Sequence, residues 1–241
     1  MIKNILLFIL TVTILPAFAM AQEFTSAQKA EIQKMFKDYL MNNGEVIIES
    51  VESYQVKAEE ESRKLADEKA SKFINDLPDN LPMTGNPKGD ITLIEFFDYN
   101  CGYCRRALEE IQTVLKTDDN LKVIFMDMPI LGPSSLEVSK WSLAAHEQDK
   151  YFDYHQALLN HTGQKTEKVM ADLAEKAGLD VEKLKKDKDN EKIENTLKAN
   201  VEAAQDMNIR GTPGFIIDGK IYPGYMPASR IKQILKEARA S

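Results

Sequence analysis

Two cysteines, separated by two residues, stand where a buried strand is predicted to give way to a helix. Residues 91–97 are rich in β-branched and aromatic side chains, which is typical of a buried strand. Residues 101–115 repeat apolar side chains at helical spacing, and residues 121–128 form a second strand pattern. A strand–helix–strand unit of this length predicts a parallel strand pair with a right-handed crossover. Cys101 and Cys104 therefore begin the crossover helix.

This position determines the chemistry expected of the pair. A helix N-terminus presents unpaired N–H donors and a partial positive charge, and both favour a thiolate over a thiol. We therefore expect Cys101 to be the exposed, attacking sulfur. Cys104, one turn into the helix, would resolve the mixed disulfide. Gly102 and Tyr103 lie between them, where a substrate chain would approach.

Other uses of two cysteines remain open at this point. A purely structural disulfide is one, and half of a zinc site is another, although the chain has only two cysteines and no second Cys-x-x-Cys or His-x3-His pair. A third is a binding protein that holds Cu(I) between Cys101 and Cys104 as soft ligands. We expect neither a resident metal nor a cofactor.

Residues 1–21 have the pattern of a secretory signal peptide. Lys3 is followed by an apolar run to Leu15, then Pro16 and an A-x-A cleavage signature. We expect cleavage near Ala21, with Ala19 as the other candidate, and export to the periplasm. The run is shorter than the roughly 20 residues that an uncleaved anchor would need.

Residues 22–80 are predicted to form an acidic helical extension followed by a linker. Thr25 to Gln28 resembles a capping box, and Asn42-Asn43-Gly44 separates a first helix from a second one over about 45–75. Pro78 to Pro87 is predicted to be linker. The extension has too little apolar surface for a core of its own, so we expect residues 22–77 to hold a homo-oligomer. An intramolecular strut or a mobile stalk is the alternative.

The rest of the chain is predicted to contain an interrupted sheet. Residues 81–133 hold the strand–helix–strand unit, residues 134–207 are helical throughout, and residues 208–241 contain a hairpin with an Asp218-Gly219 turn and a final helix. The hairpin and last helix would complete the sheet begun before the helical insert.

The residues around the cysteines also resemble a known family. The run Glu95 to Cys104 and the run Gly211-Thr212-Pro213-Gly214-Phe215 are similar to the active-site segment and the proline loop of DsbA-like thioredoxin-fold thiol-disulfide oxidoreductases of bacterial envelopes. The resemblance covers roughly residues 85–240. With its extension, the chain is most similar to oligomeric members of the suppressor-of-copper-sensitivity protein C type. The implied fold is α/β: a thioredoxin fold with an inserted helical domain, preceded by a helical oligomerisation extension.

The resemblance implies roles for three further residues. Thr212-Pro213 would be a cis peptide beside the cysteines, leaving the Thr212 backbone free to pair with an extended substrate. A trans proline that begins a strand is the alternative. Glu95 would be a buried acid that relays a proton to or from Cys104, unless it faces solvent at a sheet edge. Thr before the proline favours isomerase over oxidase activity.

The expected partners follow from this reading. They are unfolded or misfolded secreted proteins with cysteines, a membrane thiol-disulfide redox partner, and further copies of the chain as a dimer or trimer. A net charge of −7 without a basic block gives no reason to expect nucleic acid. A DsbA-like dithiol oxidase remains an alternative to an isomerase. Another alternative is a surface interaction protein in which the extension carries the function and the thioredoxin fold serves only as a scaffold.

Overall fold

The computed structural model describes residues 23–240. The predicted signal peptide, residues 1–21, lies outside the described residues. The chain divides into two compact units, with the boundary between Lys57 and Ala58. No helix among the described residues is both long and apolar enough to cross a bilayer.

Two helices occupy the start of the described chain. Helix α1 spans Ser26–Asn42 and helix α2 spans Gly44–Asn75. Thr25 caps α1: its side-chain oxygen accepts a hydrogen bond from the Gln28 backbone N–H at 3.3 Å, and the Gln28 side chain accepts from the Thr25 N–H at 3.0 Å. Both helices and the capping box are therefore as predicted. Helix α1 has no buried residue, and the buried residues of α2 are Ala66 and Ala70, both beyond the unit boundary.

The second unit is built on a five-stranded sheet in the order β1-β3-β2-β4-β5. The strands are Met83–Gly85, Ile91–Phe97, Leu121–Asp127, Gly214–Ile217 and Lys220–Pro223. Strands β2 and β3 are parallel, joined by helix α3 (Gly102–Leu115), and every other pair is antiparallel. The predicted parallel pair and the predicted hairpin are both confirmed.

Five helices connect β3 to β4, in agreement with the predicted helical insert. They are α4 (Pro133–His146), α5 (Tyr151–Asn160), α6 (Glu167–Lys176), α7 (Val181–Asp187) and α8 (Glu191–Asp206). Helix α9 (Ala228–Ala238) ends the described fold.

The central strands are buried on both faces, which explains their nearly continuous apolar sequences. Leu93 and Phe97 of β2 pack in the larger core with α3 and the insert. Ile94 and Phe96, on the opposite face, pack in a second core with Ala70 of α2 and Ala204 of α8. The C-terminal part of α2 therefore belongs to the second unit.

The prediction of a linker over residues 78–87 was wrong in part. Strand β1 lies within it and pairs antiparallel with β3, with Thr84 opposite Val123. A three-residue strand is too short to show alternation, so the Pro and Gly residues around it dominated the sequence pattern. Gly85 has a φ of +78°, and a Cβ there would lie 2.4 Å from the Leu121 carbonyl oxygen. The close approach to β3 therefore requires glycine at this position.

Candidate active site

Cys101 lies at the N-cap of α3, between the end of β2 and the first helical turn. Its Sγ accepts a hydrogen bond from the Cys104 backbone N–H at 3.3 Å. Cys101 is 8% exposed, whereas Cys104 is fully buried, and both are free thiols. Both cysteines are therefore buried, Cys104 completely and Cys101 less so, and the expectation that the Cys101 sulfur is exposed was wrong.

The surroundings of the two thiols push their pKa values in opposite directions. Hydrogen bonding with the Cys104 side chain is the largest effect on Cys101, and together with backbone N–H groups of the first turn it lowers the pKa of Cys101 to about 6. Burial is the largest effect on Cys104 and raises the pKa of that thiol far above its usual value. At pH 7 Cys101 is therefore mostly thiolate, while Cys104 keeps its proton.

Glu95 is completely buried on β2, so the alternative of a solvent-facing position is wrong. Its backbone pairs with Phe215 of β4 and Phe125 of β3. Neither carboxylate oxygen has a hydrogen-bond partner within residues 23–240. Burial, with a smaller contribution from the charge of Cys101, raises the pKa of Glu95 well above its usual value. The charge of Glu95 in turn makes a smaller contribution to the raised pKa of Cys104.

The Thr212–Pro213 peptide bond is cis, as expected from the resemblance. The loop it forms stands beside the first cysteine: the Cys101 Sγ lies 3.3 Å from the Thr212 carbonyl oxygen, to which it donates when it is protonated. Pro213 is buried and Thr212 is half-buried. Residues more than a hundred positions apart are thus brought together at one sulfur.

Aromatic side chains form the exposed rim of the site. Gly102 and Tyr103 open helix α3 at the surface, and Tyr103 is 58% exposed. The Tyr103 and Tyr225 rings lie 6.2 Å apart, and the Arg106 guanidinium stands 5.4 Å from the Tyr103 ring centre. Glu110 fixes the second ring by accepting a hydrogen bond from the Tyr225 hydroxyl at 2.6 Å. An exposed aromatic pair of this kind suits apolar segments of unfolded chains.

One residue that the sequence analysis missed holds the loops around the site. Asp98 is fully buried directly after β2. Its Oδ1 accepts hydrogen bonds from the Asn100 N–H at 2.7 Å and the Ser135 hydroxyl at 2.7 Å, and its Oδ2 accepts from the N–H groups of Ile130 and Leu131 at 2.9 Å. A polar residue that immediately follows a buried strand was the available signal.

A buried polar network behind the cysteines was also missed. The Tyr99 hydroxyl contacts His155 Nδ1 at 3.0 Å and the Ser142 hydroxyl. Burial lowers the pKa of His155 to about 3, so its imidazole is neutral. Lys165 donates to the Tyr99 carbonyl at 3.0 Å. These contacts tie the segment preceding Cys101 to the helical insert, and no local sequence pattern encodes contacts of such long range.

Comparison with known proteins agrees with this geometry. A family model described as thioredoxin matches residues 77–237. The chain belongs to the thioredoxin family. A second model, described as the N-terminal domain of the copper resistance protein ScsC, matches residues 28–61. The resemblance to DsbA-like and ScsC-type proteins is thereby confirmed.

Solved structures show how far the similarity extends. A thioredoxin-like oxidoreductase from Silicibacter pomeroyi is 36% identical, covering 67% of this chain and 94% of its own, with a TM-score of 0.65. The thiol-disulfide exchange protein alpha-DsbA2 from Wolbachia pipientis is 28% identical over 73% of this chain and 96% of its own, with a TM-score of 0.67. A linker-deletion mutant of Proteus mirabilis ScsC, 24% identical, covers 92% of this chain and 99% of its own with a TM-score of 0.68, which shows the shared fold.

Some similar chains are much longer. A Na(+)/H(+) antiporter NhaA 1 from Salinispora arenicola is 23% identical over 149 residues, which is 61% of this chain but 23% of the antiporter. The chain thus spans about a quarter of the length of these curated relatives, and the similarity is confined to that part of them.

Proposed function

We propose that the protein is a periplasmic thiol-disulfide oxidoreductase that rearranges disulfides of secreted proteins. The observation that carries the proposal is the convergence on Cys101 Sγ of the α3 N-terminus and the cis-proline loop, each 3.3 Å away. The first stabilises the thiolate that attacks. The second offers the Thr212 backbone to an extended substrate strand next to that sulfur.

The reaction begins with attack of the Cys101 thiolate on one sulfur of a substrate disulfide. A bond forms between Cys101 and that sulfur, the substrate S–S bond breaks, and its second sulfur leaves as a thiolate. In isomerisation, another substrate thiolate attacks the same substrate sulfur and releases Cys101, with no net change in oxidation. In reduction, the Cys104 thiolate attacks the Cys101 sulfur of the mixed disulfide. A Cys101–Cys104 disulfide forms, and the substrate sulfur leaves as a thiolate, so the substrate gains two electrons.

The second route requires Cys104 to lose a proton that its burial makes it hold. We assign the acceptor role to Glu95, whose unpartnered carboxylate interacts with Cys104. Burial raises its pKa well above the usual range, which makes its carboxylate a stronger base than that of an exposed glutamate. A membrane thiol-disulfide protein would then return the pair to the reduced state.

One observation favours the dithiol oxidase instead. A pKa of about 6 at Cys101 stabilises the thiolate of the reduced pair. A stabilised reduced form makes the corresponding disulfide a stronger oxidant, so the same sulfur would suit disulfide donation. The direction then depends on the redox partner that acts on the pair.

The proposed homo-oligomer bears on this choice. Several catalytic units joined through residues 22–77 would engage one misfolded chain at more than one point, which raises the effective concentration of attacking sulfurs. It would also keep an oxidising membrane partner from the site. Export to the periplasm, after cleavage near Ala21, belongs to the same proposal.

The experiment is reactivation of a scrambled multi-disulfide protein by residues 22–241, with Cys101→Ser as the matched control. An isomerase restores activity in a Cys101-dependent manner, and we expect the substitution to abolish it. Rapid oxidation of a reduced dithiol peptide without reactivation would instead identify an oxidase. Stoichiometric Cu(I) binding that protects both thiols, with negligible exchange in either assay, would contradict the proposal and favour metal handling.

A further inference from the structure

A cleft of about 640 Å³ opens beside the cis-proline loop and lies entirely within the second unit. One wall is the stretch of α2 from Ala58 to Asp67, and the other comprises residues 207–213 and 221–224. Thr212, whose carbonyl contacts the Cys101 sulfur, belongs to this second wall. Cys101 itself does not line the cleft, so Thr212 is the residue that connects the cleft to the reacting sulfur.

The helical wall is fixed to the sheet by specific contacts. Asp67 Oδ1 accepts a hydrogen bond from the Ile221 N–H of β5 at 2.8 Å. The Ser71 hydroxyl donates to the Gly219 carbonyl at 3.3 Å in the β4–β5 turn, and a Cβ at Gly219 would meet that hydroxyl at 2.3 Å. Ala70, one helical turn beyond Ala66, is completely buried in the core under the sheet. The cleft is thus preformed, so a ligand need not organise it.

Two guanidinium groups line the cleft on opposite walls: Arg63 on α2 and Arg210 ahead of the cis proline. Across residues 23–240, neither forms an ion pair within 4.0 Å. The Arg210 Nε–H donates a hydrogen bond to Asn208 Oδ1 at 2.7 Å, which leaves the terminal N–H groups of Arg210 free. Two acidic residues line the cleft. Asp67 already accepts a hydrogen bond from the Ile221 N–H of the sheet, and Glu59 lies one helical turn before Arg63.

We propose that this cleft binds the client polypeptide on one side of its reacting cysteine and selects acidic side chains there. An extended strand advances about 3.3 Å per residue, so a chain paired with the Thr212 backbone reaches the arginines within a few residues. Guanidinium groups recognise carboxylates by paired, charge-assisted hydrogen bonds. This inference rests on the proposed function, and it gives α2 a role in substrate binding as well as in assembly.

The test measures binding without exchange. Fluorescent peptides of about ten residues carry serine in place of the central cysteine, with flanking residues that are glutamate in one peptide and glutamine in the other. Fluorescence anisotropy with the full protein should show the glutamate peptide binding about 3- to 10-fold more tightly at low salt, with the preference reduced as salt is added. The double variant Arg63→Ala/Arg210→Ala should lose that preference.

The matched control is Lys64→Ala, because this exposed cation is next to Arg63 but does not line the cleft. It should leave the preference unchanged. Glu59→Gln, which removes the competing carboxylate, should increase it. Equal binding of the two peptides, or a preference that survives in the double variant, would overturn the inference.

Restoring the cysteine as a mixed disulfide with a small thiol gives the Cys101 thiolate a substrate S–S bond to attack, and it separates this inference from the proposed function. If exchange is observed, the double variant should raise KM for the glutamate peptide several-fold and leave kcat unchanged. Absence of exchange with both peptides would defeat the proposed function while leaving the binding result intact.

Discussion

Residues 23–57 and residues 58–240 differ in how far their apolar side chains are buried. In the second unit the apolar residues of the sheet are almost completely buried: Leu93, Phe96 and Phe215 have no exposed surface. In the first unit Phe36 is 63% exposed and Tyr54 is 73% exposed. In a monomer these side chains would stay in contact with water, and this exposure supports the proposed homo-oligomer.

Helix α2 is continuous, but its apolar side chains are exposed before residue 58 and partly buried after it. Before residue 58 its larger apolar side chains, such as Ile48 at 60% exposure, point to solvent. Beyond it, Ala66 and Ala70 lie against the sheet, because their small side chains allow the helix to approach closely. The difference teaches that helical periodicity identifies an apolar stripe but not the partner that buries it.

The largest effect should come from breaking the stripe of the first unit. We expect Ile47→Gln/Val51→Gln/Tyr54→Gln to weaken self-association by about a hundredfold or more, because each apolar side chain contributes roughly 1.5–3 kcal/mol when buried. Light scattering measures the mass, with Glu52→Gln as the control on the same helix. Exchange with a small dithiol peptide should be unchanged, and reactivation of a scrambled protein should fall. A parent protein that is monomeric at micromolar concentration would refute the oligomer.

The next largest effect concerns the buried core of the second unit, where His155 should make the free energy of unfolding depend on pH. His155 is neutral in the folded protein, with a pKa of about 3, whereas an unfolded histidine takes up a proton below about pH 6.5. The folded state therefore loses stability as the pH falls below 6.5. Between pH 7 and pH 4 the parent should lose roughly 3 kcal/mol more than His155→Gln. Denaturant unfolding at the two pH values measures this, and parallel losses in both proteins would contradict it.

Glu95 should produce a pH dependence of the opposite sign. Its pKa is raised in the folded state, so above the unfolded value of about 4.3 the unfolded chain releases the proton more readily and stability falls as the pH rises. Glu95→Gln should remove this fall, a gain of about 1–3 kcal/mol at pH 8 relative to pH 5. Denaturant midpoints across that range measure it. If the stability of the parent and of the variant changes identically with pH, the raised pKa of Glu95 is contradicted.

The smallest effect should come from the exposed rim of the site. Tyr225→Phe removes the hydroxyl that Glu110 holds but keeps the ring beside Tyr103. Because both groups are exposed, we expect KM for an apolar client peptide to rise only about two-fold, with kcat unchanged. A large fall in kcat would mean that this ring acts in the chemistry rather than in binding.

Local patterns predicted most of the architecture of the second unit. The strand–helix junction at Cys101, the hairpin turn at Asp218-Gly219 and the insert helices each depend on neighbouring residues, so the sequence alone sufficed. Strand β1 was missed because three residues carry no periodicity. Asp98 and His155 were missed for a different reason. Besides the nearby Asn100, the groups that donate to Asp98 lie 32 to 37 positions away, and Tyr99 lies 56 positions from His155, so only the folded chain brings them together.

The domain divisions, the signal peptide and the site roles remain predictions. The structure brings Glu95, Cys101, Cys104 and Thr212 to one place, as the sequence led us to expect. What sequence reasoning did not supply was the contribution of α2 to the same region, since nothing in residues 58–67 indicates contact with a loop some 150 positions later.

The hydrogen bond from Ile221 to Asp67 has a consequence for solubility. Strand β5 is at the edge of the sheet, where an unpaired N–H is a template for strands of other molecules. Asp67 occupies that donor and places a negative charge on the edge. Copies held together in an oligomer would meet at high local concentration, which is where edge-to-edge aggregation is fastest. In the proposed oligomer, the helix that joins the copies would thus also keep their sheets from pairing.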